Sequence, residues 1–322
     1  MDGLSLFLNA VRVEGSLFSR AEMSAPWGVQ THETEAGIFH VVVRGSGFAE
    51  VEGLPGLVGF RAGDLLVMPH GNAHILRDTP SSDFKHLSEW PTQVGDDGLP
   101  CVLAGVDGPT TSVLCGTVLL DPEAQEMLLP LLPPLVHVQG GSSPAAGWLD
   151  ATLRLMADEL DARRPGGEAL VARLADLLFV HVLRSWIEQS PERTGWLTAL
   201  GDPRLGRALG CMHGQPERGW SVDVLAREAG MSRSAFFTTF SDRVGETPAA
   251  YLLRWRMALA RGRLRRGSDG IAQVAEAVGY GSEAAFSRAF KRHVGESPSR
   301  WRQRARRPDI APTQTTSSSP SP

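Results

Sequence analysis

Between Trp220 and Pro298 the chain carries the same pattern twice, and this repeat restricts the possible folds more than any other feature. Equivalent positions lie 49 residues apart before a central turn and 50 residues apart after it. Two long copies with the same glycines and prolines indicate one supersecondary unit that occurs twice. The equivalent positions are Gly230 and Gly279, Phe236 and Phe286, Phe240 and Phe290, and the segments Gly245–Pro248 and Gly295–Pro298.

Each copy predicts a short helix, a tight turn and a second helix. In the first copy, apolar residues within Val222–Ala229 form one face and Gly230 ends the helix. Ser232 then caps the start of the next helix, which Gly245 ends. In the second copy, Ser282 takes the capping position and two phenylalanines again face inward. Each copy is therefore a helix-turn-helix, whose second helix is of the kind that enters the major groove of DNA.

The region from Trp220 to Trp301 resembles the paired helix-turn-helix domain of the AraC/XylS family of transcriptional regulators. The specific marks are the two Gly-x-Thr/Ser-Pro ends and the segment Phe286–Arg292, which reads Phe-Ser-Arg-Ala-Phe-Lys-Arg. The resemblance implies a bacterial protein that binds double-stranded promoter DNA in a sequence-specific way, acts with RNA polymerase and is not an enzyme. Within that family, activation is commoner than repression.

The outward faces of the two second helices supply the candidates for base contacts, and nearby basic residues supply the candidates for phosphate contacts. These positions follow from helical spacing and match base-contacting sites of the family. Phe237 departs from the polar residue often found there, so packing on the domain is its alternative role. Further phosphate candidates are Arg300, Arg302 and Arg304. The predicted DNA-binding residues are Ser232, Arg233, Ser234, Phe237, Thr238, Arg243, Ser282, Glu283, Ala284, Ser287, Arg288, Lys291 and Arg292.

The charge of the chain is divided unevenly. Residues 202–307 hold 20 Lys and Arg against 10 Asp and Glu, whereas the rest of the chain holds 12 against 26. A basic part beside an acidic part indicates that only the basic one approaches a polyanion. No apolar run reaches the ~20 residues of a membrane span, and the N-terminus lacks a signal-peptide pattern. We therefore expect a cytoplasmic protein with no membrane partner.

The first 140 residues predict an all-β domain. Short apolar runs such as His40–Arg44 and Leu65–Met68 alternate with glycine-rich turns. Gly63–His74 fits the pattern G-x5-P-x-G-x2-H of the second cupin motif. The whole N-terminal half resembles the cupin-type sensory domain that precedes AraC-type DNA-binding domains. This resemblance implies a barrel of ~8 strands with an interior wide enough for one small-molecule effector.

Four histidines of this half are candidates for a metal or ligand site. Metal-binding cupins add two His and a Glu in a first motif, but the corresponding region here offers His32-Glu33 and His40 without the H-x-H pair. If His32, His40, His70 and His74 converged, their imidazoles would suit zinc, iron or copper. The incomplete motif favours the alternative, in which these rings only form hydrogen bonds with neighbours. We predict no metal and no cofactor, with His40 and His74 as sensor candidates.

Cys115 is the third sensor candidate. Some relatives of this domain type sense oxidants through cysteine, which requires an exposed thiolate of low pKa and usually a resolving partner. Cys101 is the only other cysteine of this half, and Ser19–Ser24, where related sensors carry a partner, has none. The alternative is that Cys115 packs as a small buried apolar side chain.

Composition sets the domain limits. We expect a sensory domain over residues 1–140, a helical linker over 141–195, a DNA-binding domain over 196–307 with helix-turn-helix motifs at 222–244 and 271–294, and a disordered tail over 308–322. Apolar stripes over 148–163 and 168–188 must be buried, either on the barrel or in a homodimer, and the AraC/XylS resemblance implies the homodimer. The segment Ala249–Arg266 predicts one long helix that fixes the distance between the two motifs.

These expectations describe a multidomain regulator with an all-β cupin-like barrel, a helical linker and an all-α DNA-binding domain. The barrel senses a small molecule or a stress signal, and the signal changes the placement of the DNA-binding domains. Two alternatives stay open: a cysteine-based oxidant sensor and a metal-dependent cupin enzyme.

Overall fold

The computed structural model describes residues 2–95, 99–140, 147, 151–152, 155–156, 158–159, 162, 164–190 and 192–306. The helix predicted over 148–163 lies mostly outside these residues. The tail predicted over 308–322 lies wholly outside them.

The N-terminal half consists of two β-sheets that share one apolar core. The described strands are β1 (Val13–Ser24), β2 (Gly28–Thr31), β3 (Gly37–Arg44), β4 (Ser46–Val51), β5 (Val58–Arg61), β6 (Leu65–Met68), β7 (His74–Arg77), β8 (Lys85–His86), β9 (Thr92–Val94), β10 (Pro100–Gly105), β11 (Thr110–Leu120) and β12 (Val136–Val138). The first sheet has the strand order β12-β6-β3-β11-β1-β10-β9, and the second has the order β5-β4-β7-β2-β8. The predicted all-β cupin-like fold is confirmed, although the described residues hold more strands than the ~8 expected.

The turn of the cupin motif depends on Gly71. Its backbone has φ +71°, in the left-handed region that side chains with a Cβ rarely adopt. A Cβ at this position would lie 2.1 Å from the carbonyl oxygen of Thr34. Glycine is therefore required, and the turn places His74 at the start of β7.

Helices make up the C-terminal half and close one side of the sheets. None of the described helices is both long and apolar enough to cross a membrane. The α-helices whose bounds lie wholly within the described residues are α1 (Gly3–Ala10), α2 (Pro122–Leu128), α3 (Gly167–Gln189), α4 (Trp196–Ala199), α5 (Pro203–Gly214), α6 (Val222–Ala229), α7 (Arg233–Val244), α8 (Pro248–Arg266), α9 (Ile271–Ala277), α10 (Glu283–Val294) and α11 (Pro298–Ala305).

The apolar stripe predicted over 168–188 belongs to α3, which packs on the barrel. The backbone N–H of Gly15 in β1 donates to Oδ1 of Asp176 in α3 at 2.7 Å. A Cβ at Gly15 would lie 2.6 Å from the Cβ of Ala175, so the helix approaches the strand as closely as glycine allows. Leu170 and Leu177 remain on the opposite face of α3, with 40% and 47% of their surface exposed.

Both helix-turn-helix motifs form with the predicted caps. Oγ of Ser232 accepts from the N–H of Ala235 at 3.3 Å, and Oγ of Ser282 accepts from the N–H of Ala285 at 3.2 Å. Gly245 ends α7 and Gly295 ends α10, both with positive φ. The four predicted inward side chains are fully buried, namely Phe236, Phe240, Phe286 and Phe290.

Helix α8 connects the two motifs and is the single long helix that was predicted. Tyr251 and Trp255 face the core of the first motif, whereas Met257 and Leu264 face the core of the second. Leu259 packs against both cores.

Helix α1 docks on the C-terminal half, which the sequence did not reveal. The ring of Phe7 lies 4.6 Å from that of Trp196 and 5.4 Å from that of Trp255, measured between centroids. Next to them, Nδ1–H of His213 donates to the carbonyl oxygen of Gly3 at 2.8 Å. Nε2 of His213 then accepts from the hydroxyl of Tyr251 at 2.5 Å. The first residues of the chain are thus part of the core of the first motif.

Ion pairs join α2 and its N-cap residue Asp121, both in the sensory half, to the C-terminal end of α8. Arg261 pairs with Glu126 at 2.6 Å, and Arg266 pairs with Asp121 at 2.5 Å. Arg265 contacts the buried carboxylate of Glu123. Because Glu123 is only 3% exposed, removing its partner would leave a buried charge without compensation.

We expect the His213 contact to lose stability in acid. Burial lowers the pKa of His213 from 6.5 to about 4. Between these two values the imidazole is protonated in the unfolded chain but stays neutral in the native protein. Stability present above pH 6.5 is therefore lost as the pH falls, by about 2 kcal/mol at pH 5. Urea unfolding at pH 7.5 and pH 5 measures the drop in the free energy of unfolding. This drop should be smaller in His213→Gln than in the parent protein by that amount. Equal drops in both proteins would contradict the prediction, since His40 and His74 are common to both.

Candidate functional site

The exposed face of α7 carries the first set of predicted base-reading side chains. Arg233, Ser234, Phe237 and Thr238 are all exposed. Phe237 keeps 43% of its surface exposed, so part of the ring is available on the outer face while the rest is covered. An exposed aromatic ring on such a helix suits contact with a thymine methyl group.

The exposed face of α10 carries the second set. Glu283, Ala284 and Arg288 are exposed, and Ser287 is half-buried. The face is presented outward because Phe286 fills the core on the other side of the helix. Guanidinium, carboxylate and methyl groups on one helix face match the hydrogen-bonding and apolar features of base edges in the major groove.

The capping serines Ser232 and Ser282 lie at the exposed N-termini of these helices. Their Oγ atoms accept backbone N–H groups, so each hydroxyl hydrogen remains available to donate. A helix N-terminus favours phosphate because backbone N–H groups and the helix dipole both point outward.

The candidate phosphate contacts separate into two groups. Lys291 and Arg292 are exposed on α10, and Arg243 is half-buried on α7. The arginines of α11 have partners within the domain. Glu296 pairs with Arg304 at 2.7 Å and with Arg300 at 3.9 Å, and Arg302 donates to the carbonyl oxygen of Asp269 at 2.7 Å.

A cavity of about 50 Å³ lies between the two sheets of the barrel. A single water needs roughly 10–15 Å³ by this measure, so the cavity has room for a few waters or one very small molecule. Within the described residues its lining holds no Asp, Glu, Lys or Arg. The lining residues are Ser19, Ala21, Met23, Val29, Thr31, Ile38, His40, His74, Leu76, Leu87, Val102, Val113 and Cys115.

The three predicted sensor residues meet at one end of this cavity. Cys115 of β11 lies opposite His40 of β3 in the first sheet, and His74 reaches them from β7 of the second sheet. Nδ1 of His40 lies 3.1 Å from Sγ of Cys115. Nε2 of His40 lies 2.7 Å from Nε2 of His74. Thr31, which the sequence analysis missed, opposes His74 in β2 and places its Oγ1 within 3.0 Å of both ring nitrogens.

The contacts fix the direction of each hydrogen bond. Nδ1 of His74 lies 2.9 Å from the carbonyl oxygen of Asn72, and a carbonyl only accepts, so this nitrogen carries the hydrogen. Burial lowers the pKa of both rings, so each is neutral and Nε2 of His74 accepts from Nε2–H of His40. Nδ1 of His40 is then left to accept from the thiol of Cys115. The cavity therefore ends in an uncharged chain of hydrogen bonds.

His32 and His70 do not join this cluster. The ring of His32 stacks on His86 at 4.0 Å, and Nε2 of His70 lies 3.1 Å from the carbonyl oxygen of Leu132. In the part of the chain that the structure describes, no group of three or more His, Cys, Asp or Glu side chains is placed to hold a metal ion.

The comparisons with known proteins agree with these two parts. Residues 2–188 match the cupin family, and residues 225–304 match a helix-turn-helix domain family. A putative AraC-like transcription regulator from Streptomyces lividans is 34% identical over 94% of this chain and 98% of its own length. The HTH-type transcriptional regulator AlkR from Acinetobacter baylyi is 32% identical over 95% of this chain and 100% of its own length.

The chain belongs to the AraC-type transcriptional regulators with an N-terminal cupin domain. It is therefore a DNA-binding transcriptional regulator. A solved structure, the DNA-binding domain of AdpA in complex with a target DNA, is similar over 34% of this chain and 98% of its own length, with 31% identity and a TM-score of 0.31.

Cys115 of this AraC-type regulator is a poor candidate for a reactive thiol. Burial raises its pKa to about 12, which leaves a thiolate fraction on the order of 10⁻⁵ at pH 7. This environment is the opposite of the exposed, low-pKa site that an oxidant sensor needs.

We expect a thiol reagent at pH 7 to modify Cys211, which is partly exposed, well before Cys115. Peptide mass spectrometry after timed labelling of the folded protein measures the order, and labelling in denaturant provides the control for full reactivity. Rapid labelling of Cys115 in the folded protein would restore the oxidant hypothesis.

Proposed function

We propose that this regulator reads promoter DNA with both recognition helices, α7 and α10, under the control of a small uncharged effector bound in the barrel cavity. The observation that carries the proposal is the pair of capped helices, each with phenylalanines buried on one face and varied side chains exposed on the other. A helix built in this way presents its outer face to a groove without loss of its own core.

Each exposed side chain has a matching partner on a base edge. Arg288 suits a bidentate contact with O6 and N7 of guanine, Glu283 accepts from the amino group of cytosine, and Phe237 or Ala284 touches a thymine methyl. Arg243, Lys291 and Arg292 neutralise phosphates and so supply affinity and register without sequence information.

The cavity determines the class of effector. Neutral imidazoles and apolar walls penalise a charged molecule, because a buried charge without a partner costs several kcal/mol. A molecule of a few non-hydrogen atoms with one hydrogen-bonding group fits the volume and the relay of His40 and His74. We assign no catalytic role to the barrel and no metal or cofactor.

The signal reaches the DNA-binding half through α1, α2 and α8. The ion pairs of Arg261 and Arg266 with α2 tie the barrel to the helix that joins both motifs. The exposed leucines Leu170 and Leu177 lie seven residues apart on one face of α3 and supply a surface for a homodimer. We place the protein in the bacterial cytoplasm, where it acts on RNA polymerase as an activator.

Selection of sheared genomic DNA by the purified full chain, followed by sequencing, tests the DNA-reading part. We expect one enriched motif with two segments about one helical turn, ~34 Å, apart. Retention that is sensitive to salt but shows no motif would leave only non-specific affinity and would reject the proposed reading faces.

Two substitutions on α10 separate base reading from phosphate binding. Arg288→Ala should cost ~1–3 kcal/mol on the selected site and relax the preference at one base position. Lys291→Ala should weaken binding evenly on all sequences and reduce the salt dependence by about one released ion. Titrations on the selected site and on random DNA at several salt concentrations measure both effects. Equal losses on both DNAs for Arg288→Ala would refute its base-reading role.

A further inference from the structure

The two helix-turn-helix motifs have separate hydrophobic cores, and α8 is common to both. The core of the first motif contains Trp255 and is continuous with the barrel, whereas the core of the second contains Met257 and Trp301. The angle between α7 and α10 therefore depends on α8 and on whatever polar contacts bridge the motifs around it.

Arg256 of α8 makes such a bridge. Its Nε donates to the carbonyl oxygen of Pro216 at 2.7 Å, and its Nη2 donates to the carbonyl oxygen of Arg218 at 2.8 Å. Both acceptors belong to the loop between α5 and α6, at the entrance to the first motif. A planar guanidinium holds two such acceptors at once in a fixed geometry, which the single ammonium of a lysine does not reproduce.

The loop that accepts the hydrogen bonds of Arg256 is itself ordered by hydrogen bonds. Nε1 of Trp220 donates to the carbonyl oxygen of Gln215 at 2.8 Å, and the N–H of Arg218 donates to the same oxygen at 3.2 Å. The guanidinium of Arg218 lies over the ring of Trp220, 4.3 Å from its centroid. A contact with this loop is therefore a contact with a fixed part of the first motif.

The turn of the second motif lies against the same arginine. Gly279 has φ +82°, and a Cβ there would lie 2.6 Å from Nη2 of Arg256 and 2.7 Å from the carbonyl oxygen of Glu217. Gly230, its equivalent in the first motif, has φ +68°, and a Cβ there would meet only Nη2 of Arg207, at 3.4 Å. Both glycines suit a left-handed turn, but only Gly279 also permits close approach of one motif to the other.

We propose that Arg256, with Gly279 packed against it, is a positioning residue that fixes the placement of α10 relative to α7 and thereby the spacing of the two DNA segments that the regulator accepts. Its role in spacing rests on the proposed use of both recognition helices, whereas its role in placement does not. A purely local role, in which Arg256 only satisfies two carbonyl groups, would leave the separation of the helices unchanged when it is replaced.

The placement is tested without DNA by pulsed electron–electron distance measurements on the full chain. Asp242 and His293 are exposed positions near the ends of α7 and α10; both are changed to cysteine for spin labels, with Cys211→Ser to remove the partly exposed native thiol. We expect one narrow distance distribution in this parent, a broader or displaced one in Arg256→Gln and Gly279→Ala, and an unchanged one in Gly230→Ala.

The matched glycine variants separate the proposal from loss of folding. Gly230→Ala and Gly279→Ala both introduce a Cβ at positive φ, so a general destabilisation would affect both alike. Thermal unfolding confirms that each variant is folded before its distances are compared. If Arg256→Gln and Gly279→Ala both keep the parental distribution, or if Gly230→Ala broadens it equally, the proposal is overturned.

The consequence for spacing is tested on the operator selected with the parent chain. On DNA with both segments, Arg256→Gln should lose roughly tenfold in affinity, equivalent to about 1.4 kcal/mol. On DNA with one segment scrambled, Arg256→Gln should bind with the same affinity as the parent. When one base pair is inserted between the two segments, Arg256→Gln should lose less affinity than the parent does. An unchanged penalty, or an equal loss on the scrambled DNA, overturns the role in spacing. Failure to recover any operator counts against the proposed function. The distance measurement then still tests whether Arg256 fixes the placement of α10 relative to α7.

Discussion

Trp255 and Met257 lie two residues apart on α8, yet they belong to different hydrophobic cores. This arrangement makes α8 the element on which the C-terminal half depends, because neither motif can keep its core without the same helix. Truncation of a buried Trp or Phe costs roughly 3–5 kcal/mol, a large part of the stability of a typical domain. The helix is therefore held rigidly along its length, and its orientation sets that of both recognition helices.

The sensory half packs directly against the first motif, in addition to being connected to it by the chain. Phe7 packs with Trp196 and Trp255, and the ion pairs of α2 reach the far end of α8. A hydrophobic core that continues from the barrel into the first motif leaves little freedom for independent movement. The second motif has a core of its own, and among the described residues it is joined to the rest by α8 and by the Arg256 bridge. Under the proposed function, a change in the barrel reaches the first motif through the shared core and the second motif through α8 and the hydrogen bonds of Arg256.

The parts of this arrangement that depend on local sequence were predictable. The caps Ser232 and Ser282, the buried phenylalanines and the extent of α8 follow from helical spacing and from glycine and proline positions, because all of these act within a few residues. The sequence analysis considered a meeting of His40 and His74 with two other histidines and named Cys115 as a separate candidate. It did not predict that Cys115 lies against His40, because these residues come from different strands of the barrel. The docking of α1 was not predictable, because Gly3 and His213 are 210 residues apart and nothing in a short polar-capped helix specifies its partner. The same holds for Arg256, which reads as one of many surface arginines until its two carbonyl acceptors are located in space.

One sheet of the barrel lines the cavity with one face and packs with its other face against the core that continues into the DNA-binding half. On β11, Val113 and Cys115 face the cavity side, while Leu114 faces the core that continues into the first motif. On β3, His40 lines the cavity and Phe39 and Val41 face that same continuous core. Side chains alternate between faces along a strand, so any displacement of these strands by an effector shifts the packing on the other side. An effector changes the equilibrium only by its difference in affinity between two arrangements, at about 1.4 kcal/mol for each factor of ten. In a close-packed core, burying or exposing one methylene group changes the free energy by about 0.8 kcal/mol. Under the proposed function, small displacements of β3 and β11 are therefore the means by which an effector favours one placement of α8 over another.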